Sequence, residues 1–340
     1  MSPRKLRVAV VMGGPSAEYE ISIQSGRTMA DRLDPSKYEV VPVIIDQARR
    51  WLKALHLLGH GRRPTTKAIM PALEHAAGRL DVALLALHSF GEDGTVQGFL
   101  ETLGIPYTGS GVLASALAMD KHRFKAFCRA IGIPVADSVL VQHTDWRRHR
   151  EPLIKLICAL GSRVVIKPNK SGSSAGVSIV PPTKHRQLAR AMQTAYRFDH
   201  ISALVERYLP GRELTVATIG DDRSPRALPV IEIIPTRAAF FSYDVKYDGS
   251  TKEICPAEIS RTLANRLADL ACQVHRGIGA RGAIRTDFIV HRGRPFVLET
   301  NTLPGMTTES LVPKAAAAAG LSYNQLLDEL IRLALTARHG

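Results

Sequence analysis

Two acids and an amide, Asp287, Glu299 and Asn301, bracket a single glycine in the run DFIVHRGRPFVLETN. Side chains alternate faces along a strand, so whether these three meet depends on how the chain reverses around Gly293. A three-residue turn centred on Gly293 pairs Asp287 with Glu299, and it sets Arg285 opposite Asn301 on the same face. Facing carboxylates repel unless something positive lies between them. Oxygen donors of this kind suit hard Mg²⁺, which keeps its remaining positions for water or phosphate. A two-residue turn reads otherwise: it sends Asp287 to the opposite face, and the acids become surface ion pairs with Arg285 on an exposed hairpin.

A second stretch, VVIKPNKSGSSAGVSIV at 164–180, carries Lys167 near the end of one apolar run, then Gly172, Ser173, Ser174 and Gly176, then another apolar run. Small residues let backbone amides approach phosphate oxygens, and a lysine supplies a point charge. The order G-x-x-x-x-G-K-[ST] is missing and a strand follows, so this is not a Walker P-loop. Alone, it reads as the tip of a flexible hairpin. Beside a metal-binding hairpin, it suggests a nucleotide gripped between two β-layers.

These residues need a scaffold, and the 340-residue chain with 45% hydrophobic residues is long enough for two or three packed domains. From residue 6 to about 118, short apolar runs at 8–11, 40–45 and 82–87 alternate with helical stretches at 22–33 and 95–103. That is the rhythm of βαβ units on a parallel, Rossmann-like sheet. Residues 119–210 read as a small α+β lobe, with a helix bearing Phe124, Phe127 and Ile131, strands at 163–167, 177–180 and 203–206, and a helix at 184–196. Residues 211–340 read as a second lobe, with strands at 213–219, 227–234, 282–290 and 295–299, a polar loop at 235–252, a helix carrying Leu263, Leu267, Leu270 and Val274, and two closing helices.

Composition narrows the setting. Cys128, Cys158, Cys255 and Cys272 are far apart, with neither zinc-ligand nor disulfide spacing, which fits a reducing cytoplasm. No run approaches the ~18 apolar residues of a membrane span. The net charge of +14 would suit nucleic acid or anionic small substrates, but the basic residues are scattered apart from Arg147, Arg148 and Arg150. No nucleic-acid partner is expected.

The segments KPNKSGSSAGVSIV, ERYLPGRELTV, RTDFIV and ETNTLPGMT, spread over 167–307, resemble the ATP-grasp superfamily. Within it, GGPSAEYEIS, LHSFGEDGTVQGFLETLGIPYTGSG, SALAMDK and ESLVP are similar to the D-alanine–D-alanine ligase family, in the same order throughout. The resemblance implies an α/β, three-domain ATP-grasp architecture whose two α+β lobes enclose ATP. It implies two Mg²⁺ ions, replaceable by Mn²⁺, held by Asp287, Glu299 and Asn301 with Glu299 bridging. Lys121 and Lys167 match the phosphate-binding lysines, and the amides around Ser173 and Ser174 would cover the β- and γ-phosphates. Glu206 matches the acid that accepts from the adenine amino group; Arg207 and Leu209 offer backbone groups to the base, and Glu213 holds the ribose.

On the substrate side, the resemblance gives Glu18 the ammonium of a first D-alanine and puts His88 near its carboxylate. Arg285 and the Gly305 amide face the oxyanion, while Ser310 and the Leu311 amide take the second carboxylate. Tyr247 and Lys246 belong to a closing loop, Tyr247 hydrogen-bonded to Ser173 and Glu18 and Lys246 reaching the γ-phosphate. A homodimer is implied as well. Simpler roles exist: Glu18 or Ser310 as helix caps, His88 as a structural histidine, Tyr247 as a loop anchor. The chain departs from the family pattern at Ser89, where glycine is common, at Asn169, where serine is, and at Ser242, where aspartate is. Retention of Tyr247 points to an amine rather than a hydroxyl as second nucleophile.

Overall fold

The computed structural model describes residues 4–53, 80–172, 174–235 and 251–337. Among them the first part holds β1 (Leu6–Gly13), α1 (Tyr19–Arg32), β2 (Tyr38–Ile45), β3 (Trp51–Lys53), β4 (Val82–Leu85), α2 (Thr95–Thr102) and α3 (Val112–Met119). Its sheet runs β3-β2-β1-β4, with β1 parallel to both β2 and β4. The middle part comprises α4 (Lys121–Ala130), β5 (Ser138–Gln142), α5 (His143–Arg148), α6 (Arg150–Ala159), β6 (Val164–Pro168), β7 (Ser178–Val180), α7 (His185–Tyr196) and β8 (Ser202–Arg207). Its antiparallel sheet runs β5-β8-β6-β7. The last part contains β9 (Arg212–Gly220), β10 (Arg226–Ala227), β11 (Ile231–Pro235), β12 (Thr251–Ile254), α8 (Arg261–Gly277), β13 (Gly282–His291), β14 (Arg294–Asn301), α9 (Leu311–Ala318) and α10 (Tyr323–Thr336). Here the order is β12-β11-β9-β13-β14, with β10 beside β9.

The first sheet, parallel except for the antiparallel edge strand β3, and the two later α+β parts agree with the architecture expected from sequence. Strands β3 and β5 and helices α3, α5 and α6 were not anticipated, β12 begins inside the expected polar loop 235–252, and the run 227–234 is two strands rather than one. Pro229 lies between β10 and β11, where a residue without an amide hydrogen cannot continue a ladder.

Burial explains the patterning. On β1, Val8, Val10 and Met12 face a core shared with Met29 of α1 and with Leu327 and Leu330 of α10, whereas Ala9 and Val11 face Leu100 of α2. A strand covered on both faces reads as a continuous apolar run. Helix α8 begins at Ser260, whose side chain accepts from Leu263 N, and buries Leu267, Leu270 and Val274 against β9 and β13. Phe124 and Cys128 of α4 pack in that same core, so α4 bridges the middle and last parts. We retain 1–118, 119–210 and 211–340 as a proposed division of the chain into domains.

The β13–β14 hairpin corrects the expected turn. His291 pairs with Arg294, so the loop has only two residues, Arg292 and Gly293, at φ +49° and +75°. Both lie in the left-handed region that a type I′ turn needs, which Gly293 enters freely. Phe288 pairs with Val297 but Asp287 pairs with Glu299, because the register shifts between Asp287 and Phe288. Leu298 is the extra residue of a β-bulge. The bulge undoes the face reversal that a two-residue turn imposes: Leu298 and Glu299, neighbours in sequence, line the same cavity as Asp287. Arg285 stands opposite Asn301, as the sequence suggested.

Candidate active site

A cavity lies between the middle sheet and the β9–β13–β14 sheet. Its apolar walls include Val165 and Ile179 on one side and Ile289 and Leu298 on the other. Two facing β-layers of this kind make a slot for a flat ring. Lys167, Glu206, Arg207, Leu209 and Glu213 line it, together with Gly172 and Ser174 of the glycine–serine loop. Glu206 is buried, with Lys125 Nζ at 2.8 Å and Lys167 Nζ at 3.1 Å from its Oε1. Burial by itself would raise the Glu206 carboxyl, but the two ammonium groups outweigh it and hold the group below its usual range. Burial pulls Lys125 below its usual range despite Glu206.

Lys125 was missed in the sequence reading, although its signal is there: four residues beyond Lys121, it falls on the same face of α4. Lys121 reaches the cavity from the other end. Its Nζ donates to Ser171 O at 2.5 Å and lies 3.2 Å from Glu299 Oε2. Asn169 secures this junction, accepting from His122 N at 2.9 Å and donating to Asp120 Oδ1 at 3.0 Å. The departure at 169 therefore ties the start of the phosphate-loop candidate to the N-terminus of α4.

Asp287, Glu299 and Asn301 share one sheet face. Asp287 accepts from Thr215 Oγ1 at 2.6 Å, and from Arg285 Nε and Nη2 at 2.8 Å each; Asn301 Nδ2 is 3.3 Å away. Among the described residues no group of three or more His, Cys, Asp or Glu gathers into a metal site. The set here is two carboxylates and one amide, all oxygen donors and too few for full coordination. That composition fits Mg²⁺ bound jointly by protein, phosphate and water. Arg285 and Lys121 now supply the positive charge that the two acids require. Burial works against the Arg285 guanidinium, yet Asp287, Glu299 and Glu92 raise its pKa above the ordinary value.

A second cavity opens on the other side of Glu299. Glu18, His88, Arg285, Asn301 and Gly305 line it, with Ser310 and Leu311 at the start of α9. Glu18 sits at the N-cap position of α1 but makes no side-chain capping bond; its Oε2 accepts from the Ser89 hydroxyl instead. Ser310 does not cap α9 through its side chain either, accepting from Thr307 N at 3.0 Å. A Cβ at Gly305 would come within 2.9 Å of Ser310 Oγ, so a larger residue there would displace the Ser310 hydroxyl. His88 is buried with Nε2 3.1 Å from Ser25 Oγ, and burial lowers its pKa, keeping it neutral. Gly172 and Glu299 line both cavities, which therefore meet at the end of a nucleotide's reach.

Comparison with known proteins then decides the family. Residues 7–110 match the family model described as D-ala D-ala ligase N-terminus, and residues 127–332 match D-ala D-ala ligase C-terminus. A D-alanine--D-alanine ligase of Syntrophobacter fumaroxidans is 43% identical over 98% of this chain and 99% of its own. The chain belongs to the D-alanine–D-alanine ligase family. Among solved structures, a Bacillus anthracis D-alanine--D-alanine ligase complexed with ATP is 36% identical, with TM-score 0.76 over 97% of each chain. The VanG D-Ala:D-Ser ligase from Enterococcus faecalis, 29% identical, superposes with TM-score 0.83 over 97% of this chain and 99% of its own.

Three residues that the family resemblance singled out, Ser173, Lys246 and Tyr247, lie outside the described residues, as does Ser242. One acid beside the second cavity was not anticipated. Glu92 is buried and lines that cavity, and burial together with the Glu18 charge pushes its carboxyl up to about 7, against the Ser89 and Leu303 amides and Arg285. A carboxyl whose folded pKa lies above its unfolded one favours folding while protonated. Its contribution is full below about pH 4.5 and disappears as pH rises through 7, a span worth about 3 kcal/mol. Glu92→Gln should therefore raise the thermal midpoint relative to wild type at pH 8, with the gap closing towards pH 5. Calorimetry across that range checks it, and a gap independent of pH would remove the protonated Glu92.

Proposed function

We propose that this chain joins two D-alanines into D-alanyl-D-alanine at the expense of ATP, for the assembly of peptidoglycan. The observation that carries the reading is that Glu299 and Gly172 belong to both cavities, so a γ-phosphate held at one reaches a small amino acid held in the other. Adenine lies between the β-layers with its amino group on Glu206, its edge on the backbone of Arg207 and Leu209, and its ribose on Glu213. Lys121 and Lys167, with the loop amides of Gly172 and Ser174, hold the phosphates. Asp287, Glu299 and Asn301 would hold two Mg²⁺ ions, or Mn²⁺ in their place, which would supply positive charge to offset that of the transferring phosphoryl group.

Glu18 takes the ammonium of the first D-alanine and His88 flanks its carboxylate. A carboxylate oxygen attacks the γ-phosphorus, the bond to the bridging oxygen breaks, and ADP leaves an acylphosphate. The amine of the second D-alanine, its carboxylate held by Ser310 and the Leu311 amide at a helix N-terminus, attacks the activated carbonyl. Arg285 and the Gly305 amide stabilise the tetrahedral oxyanion. It collapses with loss of phosphate and of the amine proton, forming the peptide bond. By family resemblance we assign to Lys246 and Tyr247, which lie outside the described residues, the exclusion of water that would hydrolyse the acylphosphate.

Among the described residues no helix is long and apolar enough to cross a membrane. A cytoplasmic, homodimeric enzyme with no nucleic-acid partner completes the proposal. Mass identification of the product after incubation with ATP, Mg²⁺ and D-alanine, alone or with D-serine or D-lactate, tests it. D-alanyl-D-alanine from D-alanine alone, with ADP and phosphate in equal amounts, is the expected result; a product only in the mixtures would replace the second substrate.

A further inference from the structure

Ser89 follows the buried histidine and holds φ +59°, a backbone region that glycine enters freely and serine only at a cost. Strain of this kind persists where the surroundings impose it, and it concentrates at functional sites. What the residue does there is visible. Its backbone N–H donates to Glu92 Oε2 at 3.1 Å, and its hydroxyl donates to Glu18 Oε2. Glycine would keep the first bond and remove the strain; only a side chain supplies the second.

The surrounding contacts aim that hydroxyl. Ser16 Oγ donates to His88 O at 3.1 Å and accepts from Glu18 N at 3.2 Å, so the loop bearing Glu18 is tied to the loop bearing Ser89. A Cβ built on Gly172 would stand 2.9 Å from Ser89 Oγ and 3.1 Å from Glu18 Oε2. The Ser89–Glu18 pair thus lies directly beneath the glycine common to both cavities.

We infer that Ser89 is a positioning residue for the first amino-acid substrate: its hydroxyl orients the Glu18 carboxylate that receives the substrate ammonium. The inference rests on the proposed reaction and adds a specific residue to it. A hydrogen bond to a charged group is worth roughly a factor of ten in binding. Ser89→Ala removes the hydroxyl and keeps the strained backbone, while Ser89→Gly removes both. Steady-state kinetics with D-alanine, resolving its two subsites, should show the first-subsite KM rising about tenfold in both variants, with kcat and the KM for ATP within twofold. The thermal midpoint should equal or exceed wild type in Ser89→Gly but not in Ser89→Ala. An unchanged first-subsite KM in both variants overturns the inference, and so does a parallel rise in the KM for ATP with loss of stability. Wild-type protein without D-alanine-dependent turnover would instead remove the proposed reaction, and this inference with it.

Discussion

Glu299→Gln should lower turnover by roughly 10²–10³-fold while the protein stays folded. Glutamine preserves the size of the side chain but not its charge, and an amide offers one oxygen where the carboxylate offers two. Glu299 lines both cavities, as Gly172 does, and faces Asp287 across the hairpin. Charge stabilisation of a transferring phosphoryl group is worth several kcal/mol, and about 3–4 kcal/mol off the barrier corresponds to two to three decades in rate. Because Glu299 is only part-buried, its replacement should shift the thermal midpoint by no more than a few degrees. Phosphate release with saturating ATP and D-alanine, alongside a melting curve, reads both quantities. Turnover within threefold of wild type would remove Glu299 from the metal set.

Arg285→Met should damage stability and turnover together. The guanidinium grips both oxygens of Asp287, and Glu299 and Glu92 lie close enough to raise its pKa further. Its loss leaves a buried carboxylate without its principal cation, which costs about 3–5 kcal/mol. The loss of an oxyanion donor costs a further 10²–10³-fold in turnover. The two effects separate experimentally. Mg²⁺ with ATP should restore much of the melting temperature, since bound cations supply the missing charge at Asp287, but should not restore activity. Arg285→Lys, which keeps the charge and lacks the planar fork, should recover stability better than turnover. Full activity in either variant would sink the oxyanion role; a stability loss that Mg²⁺ and ATP leave untouched would sink the account of Asp287.

How legible the site was in the sequence depended on the kind of relation involved. Period-two alternation placed Asp287, Glu299, Arg285 and Asn301 on one face, and helical periodicity found α8 through Leu267, Leu270 and Val274. The pairing of Asp287 with Glu299 was expected, but from a three-residue turn that does not exist. Two departures, a two-residue Arg292–Gly293 turn and a bulge at Leu298, cancel. Alternation counts residues and cannot see an extra one absorbed by a bulge. Lys125 and Glu92 escaped for a different reason. Each is an ordinary charged residue in the sequence, and only burial beside Glu206 or Glu18 makes it unusual.

Local order in the chain thus determined most of the longer strands, the principal helices, the glycine–serine loop and the motifs that carry the family likeness, because each depends on neighbours a few residues away. Tertiary structure decided that Ser89 touches Glu18, that α4 brings Lys121 to Glu299 and Lys125 to Glu206, and that two cavities share one acid. Those contacts join segments 70 to nearly 180 residues apart. No periodicity extends over such distances; the packing of three sheets and their cores does.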